Sequence, residues 1–225
     1  MKLVADEVSK RFGPFTAVDG VSLSVRTGES VAILGPNGSG KTTLLRMLAG
    51  LATPSSGTVA VDGVDQYSRS GRADGSIGYL SHESMLYDDL TARENLAFHA
   101  RLLGVDAERV GAVLETVDLA DRADGFPREF SHGMQKRLSF ARALLADPAV
   151  LLLDEPFTGL DQHSRATLRS MMADRTVVLV SHEQDLSARL CERYLVLDEG
   201  RIVARIEGPV DGPETLRNRY REVVA

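Results

Sequence analysis

The chain has 225 residues, 43% of them hydrophobic and 26% charged, with a formal net charge of −6 and one cysteine. That is enough for one α/β domain with its own core; it excludes an internal disulfide, and the acidic balance argues against a chain that lives on nucleic acid. Asp6 and Glu7 stand where a signal peptide would need apolar residues, and apolar runs such as "AVLLL" at 149–153 fall far short of the roughly 20 residues that cross a bilayer, so a cytoplasmic chain is expected.

In chain order, short strands are predicted over 2–8, 18–25, 30–34 and 57–62. Between the third of these and a helix starting near Lys41 lies "GPNGSGKT", Gly35 to Thr42, which fits G-x-x-x-x-G-K-[ST] in the strand-loop-helix setting the motif requires. Gly35, Gly38 and Gly40 let backbone N–H groups converge on phosphate oxygens without a Cβ in the way. Pro36, Asn37 and Ser39 complete the loop, and the helix adds the positive end of its dipole. Lys41 supplies a point charge to the β- and γ-phosphates, Thr42 a hydroxyl to Mg²⁺, and Thr43 reaches the α-phosphate. The bland alternative, a glycine-rich turn with a chance lysine, does not account for the flanking strand and helix.

Further on, Ile77 to Leu80 reads as a strand that stops at Ser81-His82-Glu83, and Thr91 with Glu94 forms a capping box that opens a helix. Helices follow over 91–103 up to Gly104, over about 106–117 from an Asp106 cap, and over 131–146 before Pro148. Strands return at 149–153 and 176–180 with a helix between them. "YLVLDEGRIVARI" reads as a hairpin turning at Glu199-Gly200, and 217–223 as a terminal surface helix. The pattern predicts an α/β fold: a mostly parallel sheet, antiparallel strands near the start, and a helical insert at about 83–146 within a single domain, 1–225.

"AVLLLDEP" ends an apolar strand on Asp154 and Glu155, at the carboxyl edge where open α/β sheets bind ligands. Asp154 is placed to hold Mg²⁺ through water, and Glu155 to polarise the attacking water. "VVLVSHE" ends a third strand on His182. A GTPase would need N-K-x-D for guanine, which does not occur. A small-molecule kinase would need a substrate lid, often basic.

The third reading comes from "FSHGMQKRLSFARALLADPAVLLLDEPFTGLD", residues 130–161, which resembles the ATP-binding cassette (ABC) ATPases; the resemblance covers nearly the whole chain. The family's L-S-G-G-Q signature maps to Phe130-Ser131-His132-Gly133-Met134, with Ser131 and Gly133 matching and His132 and Met134 departing. "TGLD" resembles the family's D-loop, with Asp161, and "LVSH" its switch histidine, His182. Phe12 in "KRFG" matches the aromatic that stacks on adenine. The resemblance implies catalytic roles for Lys41, Glu155 and His182, with ATP and Mg²⁺ as cofactors. It also implies a head-to-tail homodimer or pseudo-dimer closed by ATP and an integral membrane permease as partner. The chain would then sit on the cytoplasmic face of the membrane. His82 takes the place of a glutamine that touches Mg²⁺ or the attacking water in most of the family, so it joins Thr42 and Asp154 as a metal-site residue. In detail, "YLSHESMLYDDLTARENLAFHARLLG" is most similar to the haem-exporter ATPases of cytochrome c maturation. Drug, lipid or polysaccharide exporters are the alternative.

The rival class, soluble ABC proteins acting on DNA or ribosomes, would carry coiled-coil or zinc insertions or a second cassette with a basic linker, and none is present in the sequence; no nucleic-acid partner is expected. Cys191 reads as a small core residue on an amphipathic helix. His99 and His163 lie on predicted helices without partners at metal spacing.

Overall fold

The structure, a computed structural model, describes residues 2–68 and 75–224. β1 (Lys2–Phe12) and β2 (Phe15–Arg26) form an antiparallel hairpin that turns at Gly13-Pro14. Both run longer than the sequence predicts, because register shifts at Ala5/Val8 and Val8/Lys10 re-aim the strands without ending the pairing. β3 (Ser30–Leu34) feeds α1 (Lys41–Leu48), and β4 (Ser56–Val61) and β5 (Val64–Asp65) complete a four-stranded sheet in the order β2-β1-β4-β5.

After β6 (Ile77–Leu80) the chain leaves for the helical insert: α2 (Ala92–Leu103), α3 (Glu108–Thr116) and α4 (His132–Leu144). Thr91 caps α2 with the expected capping box, and Gly104 ends it at φ 67°. The Asp106 cap expected for α3 is absent: Ala107 occupies the N-cap without a side-chain bond, and Asp106 contributes its carbonyl to Arg109 N instead. The chain then returns through β7 (Val150–Asp154), α5 (Gln162–Met172), β8 (Thr176–Val180), α6 (Gln184–Leu190), β9 (Arg193–Asp198), β10 (Arg201–Glu207) and α7 (Pro213–Val224).

The larger sheet has the order β10-β9-β3-β8-β7-β6, parallel throughout except for β10. Its central strands are apolar on both sides because both faces are covered. Successive residues alternate between two cores: Ala32, Leu34, Leu151 and Leu153 join one with the helical insert, while Val31, Ile33, Val150 and Leu152 join the other with α1 and the four-stranded sheet. Cys191 lies one residue beyond α6, in extended backbone, and burial pushes its thiol up to about 12. Among the described residues no helix is long and apolar enough to cross a membrane, and no cluster of three or more metal-ligating side chains occurs. His99 rests against the Phe98 and Tyr87 rings, and His163 pairs with Asp118 at 3.2 Å.

Candidate active site

The carboxyl ends of β3, β7 and β8 and the loop after β6 open onto one cleft of ≈ 800 Å³. Asn37, Gly38, Gly40, Lys41, Thr42 and Thr43 form its floor. Gly35 has φ 152°, and a Cβ there would sit 2.0 Å from Leu197 O, so the loop rests on the backbone of β9. Gly40, the N-cap of α1, has φ 99° and offers no side-chain cap. The first N–H groups of α1 therefore have no side-chain acceptor, which suits an anion. Ser39 is buried, and its carbonyl accepts from Gly200 N at 3.0 Å, tying the loop to the β9-β10 turn.

Lys41 is buried, and its Nζ donates to the carbonyls of Gly35 (2.9 Å) and Pro36 (2.7 Å). Burial lowers its pKa, while Glu155 and Asp154 pull it back up. A charged amine kept out of water beside two acids is poised for phosphate oxygens.

Asp154 is 2% exposed; its Oδ1 accepts from Thr42 Oγ1 at 3.3 Å, and its Oδ2 is buried with no hydrogen-bond partner. An orphaned carboxylate oxygen beside a hydroxyl is an oxygen donor set that fits Mg²⁺. Glu155 stands at φ 49°, in the left-handed region, with its N–H bonded to Val180 O at 3.0 Å. That conformation turns its side chain into the cleft, where Thr158 Oγ1 donates to Oε2 at 3.2 Å and His182 Nε2 lies 3.5 Å from Oε1. Burial raises the Glu155 pKa, and His182 opposes the shift. A carboxylate whose pKa burial raises, next to an imidazole, is the pairing a general base needs.

His82 lines the same cleft, between Ser81 and Glu83. The structure thus brings together the glycine loop, Lys41, Thr42, Thr43, Asp154, Glu155, His182 and His82. It leaves Ser131, Gly133 and Asp161 outside. Ser131 caps α4 by accepting from Met134 N at 3.3 Å, and Asp161 caps α5 by accepting from Ser164 N at 2.8 Å, which holds its carboxyl below the usual range. Gly133 has a reason within the single chain: a Cβ there would meet Ser164 Oγ at 2.9 Å, so its lack of a side chain lets α4 approach α5.

One expectation changes. Phe15, not Phe12, lines the cleft. The two are cross-strand partners astride the turn, and the Phe12 ring faces the Lys10 ammonium at 5.2 Å instead. Phe15 is 60% exposed, an apolar ring with nothing to cover it. The alternation of β2 alone does not mark it, but an aromatic just past a Gly-Pro turn and opposite another aromatic was the available signal. Thr158 was also missed, although it lies a helical turn's spacing after Glu155.

The chain matches a family model described as ABC transporter over residues 18–158. It is 43% identical over 206 residues to the Nod factor export ATP-binding protein I of Burkholderia orbicola, covering 88% of this chain and 68% of that one. It is 40% identical over 216 residues to a sulfate/thiosulfate import ATP-binding protein of Rhodopseudomonas palustris, covering 90% of this chain and 62% of that one. Among solved structures, the ATP-binding subunit of an ABC transporter superposes with TM-score 0.89 at 26% identity over 100% of both chains. The dimeric structure of a bacterial ABC transporter cassette does so with TM-score 0.82 at 28% identity, over 91% of this chain and 98% of that one. These relatives lend no support to the haem-exporter resemblance.

Proposed function

We propose that this chain, which belongs to the ABC transporter family, is the ATP-hydrolysing subunit of an exporter. That it is an ABC-type ATPase coupled to transport follows from the family. The direction is carried by one observation: relatives at 42–43% identity, such as those of Burkholderia orbicola and Burkholderia lata, are named for Nod factor export. An export cargo of that kind replaces haem as the reading. Import is the second reading, favoured by the 40% identity to the sulfate/thiosulfate subunit. The deciding experiment pairs the chain with its membrane subunit in oriented vesicles. ATP should drive labelled Nod factor into inverted vesicles, and ATP-driven sulfate uptake into right-side-out vesicles would overturn the export reading.

In this reading the chain sits on the cytoplasmic face of the membrane, bound to a permease. Phe15 provides the aromatic end for adenine, the Gly35–Thr43 loop holds the phosphates, and Lys41 shifts from its two carbonyls to the β- and γ-oxygens. Thr42 and Asp154, joined by His82, would hold Mg²⁺, which supplies charge neutralisation on the phosphates when bound. Glu155 accepts a proton from the attacking water, and His182 holds the Glu155 carboxylate and the γ-phosphate in line.

Ser131 and Gly133 reach a nucleotide only from a second copy, because within one chain they lie outside the cleft. A dimeric cassette among the solved relatives supports that arrangement. With Glu155→Gln to stop turnover, ATP should shift the chain from monomer to dimer in sedimentation velocity, and ADP should not. Adding Ser131→Arg should return it to monomer, since arginine removes the α4 cap and sets positive charge against a positive helix end. A dimer that survives Ser131→Arg would place the second nucleotide contact elsewhere.

A further inference from the structure

The loop after β6 makes few backbone hydrogen bonds of its own, and α4 supplies side-chain partners instead. Lys136 Nζ donates to the carbonyls of Ser81 (3.3 Å) and His82 (3.4 Å), Ser139 Oγ to Ser84 O (2.8 Å), and Arg142 Nη1 to Met85 O (2.6 Å). Lys136, Ser139 and Arg142 are spaced i, i+3, i+6, one face of a helix, and they meet the loop carbonyls in chain order. At the far end, Asn95 on α2 takes over: its side chain accepts from Tyr87 N and donates to the carbonyls of Tyr87, Leu90 and Thr91. Asn95 is 1% exposed, Lys136 3% and Ser139 0%. The loop is therefore laced to the helical insert along its length, and its other root is Leu80 in the core sheet. Any shift of the insert against the sheet must be absorbed near Leu80-Ser81, at the threshold of the cleft.

We infer that Lys136 is a positioning residue: its ammonium fixes the first carbonyls of this loop, sets where the His82 side chain enters the cleft, and locks that position to the Ser131 end of the same helix. The inference rests on the reading of His82 given above. Lys136 and Ser131 share one rigid helix, roughly 7.5 Å apart along its axis at about 1.5 Å per residue. A change at His82 and a change in how Ser131 is presented to a second copy are then one movement. No other residue of α4 reaches the Ser81 or His82 carbonyl among the described hydrogen bonds. The Lys136 amine is also kept from water, which depresses its pKa, while Asp154 and Glu155 act on it from across the cleft. Its charge on those acids is the competing explanation for any loss of activity, so the test must separate the two routes.

Lys136→Met keeps length and apolar packing but removes the donors. Steady-state ATPase should fall between about 10- and 100-fold in kcat, as misplacement of a reacting group predicts, with KM for ATP within about twofold because the glycine loop is untouched. Amide hydrogen exchange should quicken over 81–85 and stay slow in β6 and α4. Lys136→Arg, which keeps a donor fork, should restore most of both. The decisive arm adds His82→Ala. If Lys136 acts through His82, Lys136→Met should cost less than about twofold more in that background, a non-additive cycle. Equal losses with and without His82 would overturn the inference and point to the charge on Asp154 and Glu155; so would unchanged exchange over 81–85. Wild-type activity of His82→Ala alone would show instead that the reading of His82 is wrong. A Lys136→Met chain that does not fold leaves Lys136→Gln to decide, which keeps a donor but not the charge: slow exchange over 81–85 with kcat within a few-fold of wild type supports the inference, and a loss of about 10- to 100-fold in kcat with slow exchange over 81–85, or quickened exchange there with kcat near wild type, would overturn it.

Discussion

Glu155→Gln should bind ATP as tightly as the wild type and hydrolyse it about 10²–10⁴ times more slowly, the loss expected when a general base is replaced by its amide. The side chain keeps its shape, so the contact with Thr158 Oγ1 at 3.2 Å can persist with roles exchanged. What disappears is the carboxylate that takes the proton, with its Oε1 beside His182 Nε2 at 3.5 Å, an ion-pair distance more than a hydrogen bond. Stability should not suffer. Burial is the leading cause that raises the Glu155 pKa, meaning that the folded protein holds the charged form at a cost, and an amide removes that cost. The melting temperature should therefore equal or exceed that of the wild type. Fluorescent-nucleotide titration, single-turnover phosphate release and a thermal melt check the three parts. Turnover within a few-fold of the wild type would move the base to another residue.

Gly35→Ala should be among the most damaging single-atom-group changes in the chain. A Cβ at Gly35 would lie 2.0 Å from Leu197 O and 2.8 Å from Ser39 Oγ, and φ is 152°. The serine could turn away, but Leu197 is a fully buried residue of β9 and its carbonyl cannot. Either the phosphate loop lifts off the sheet or the sheet spreads, and the Lys41 bond to Gly35 O is lost with it. A loss of about 3 kcal/mol or more follows from backbone strain at an over-determined site. For a chain of this size that is a drop of about 6–12 °C in melting temperature, and ATP binding should disappear with it. Gly38→Ala is the control. It shares a positive φ, 81°, but nothing lies within 4 Å of its Cβ. Its cost should be the left-handed penalty alone, about 1–2 kcal/mol. Equal shifts in the two variants would show that φ, not the contact with β9, limits Gly35.

Much of the candidate site was legible because each part is a short contiguous motif at the end of a buried strand. Apolar runs at 30–34, 149–153 and 176–180 must lie in a sheet covered on both faces, and a sheet of parallel strands puts all their carboxyl ends on one edge. Lys41, Asp154, Glu155 and His182 meet there for that reason, without any need to know the packing. The helical insert was legible from its capping box and its glycine stop. Cargo was not. The residues around the cleft answer to ATP, so a likeness in "YLSH" follows the chemistry of the loop after β6 and carries no information about what a membrane partner moves.

What the sequence by itself determined is the make-up of the candidate site: a glycine loop, an acid pair and a histidine, each set by local spacing and strand polarity. Only the tertiary structure decided which side chains from distant segments touch. It put Phe15 rather than Phe12 in the cleft wall, made Gly133 the point where α4 meets α5, and laced 81–85 to Lys136, Ser139 and Arg142. The physical reason is common to all three. Hydrogen bonds and close contacts between segments far apart in the chain depend on hairpin register and helix approach, and these are settled by how two whole cores fill, not by the residues on either side of the contact.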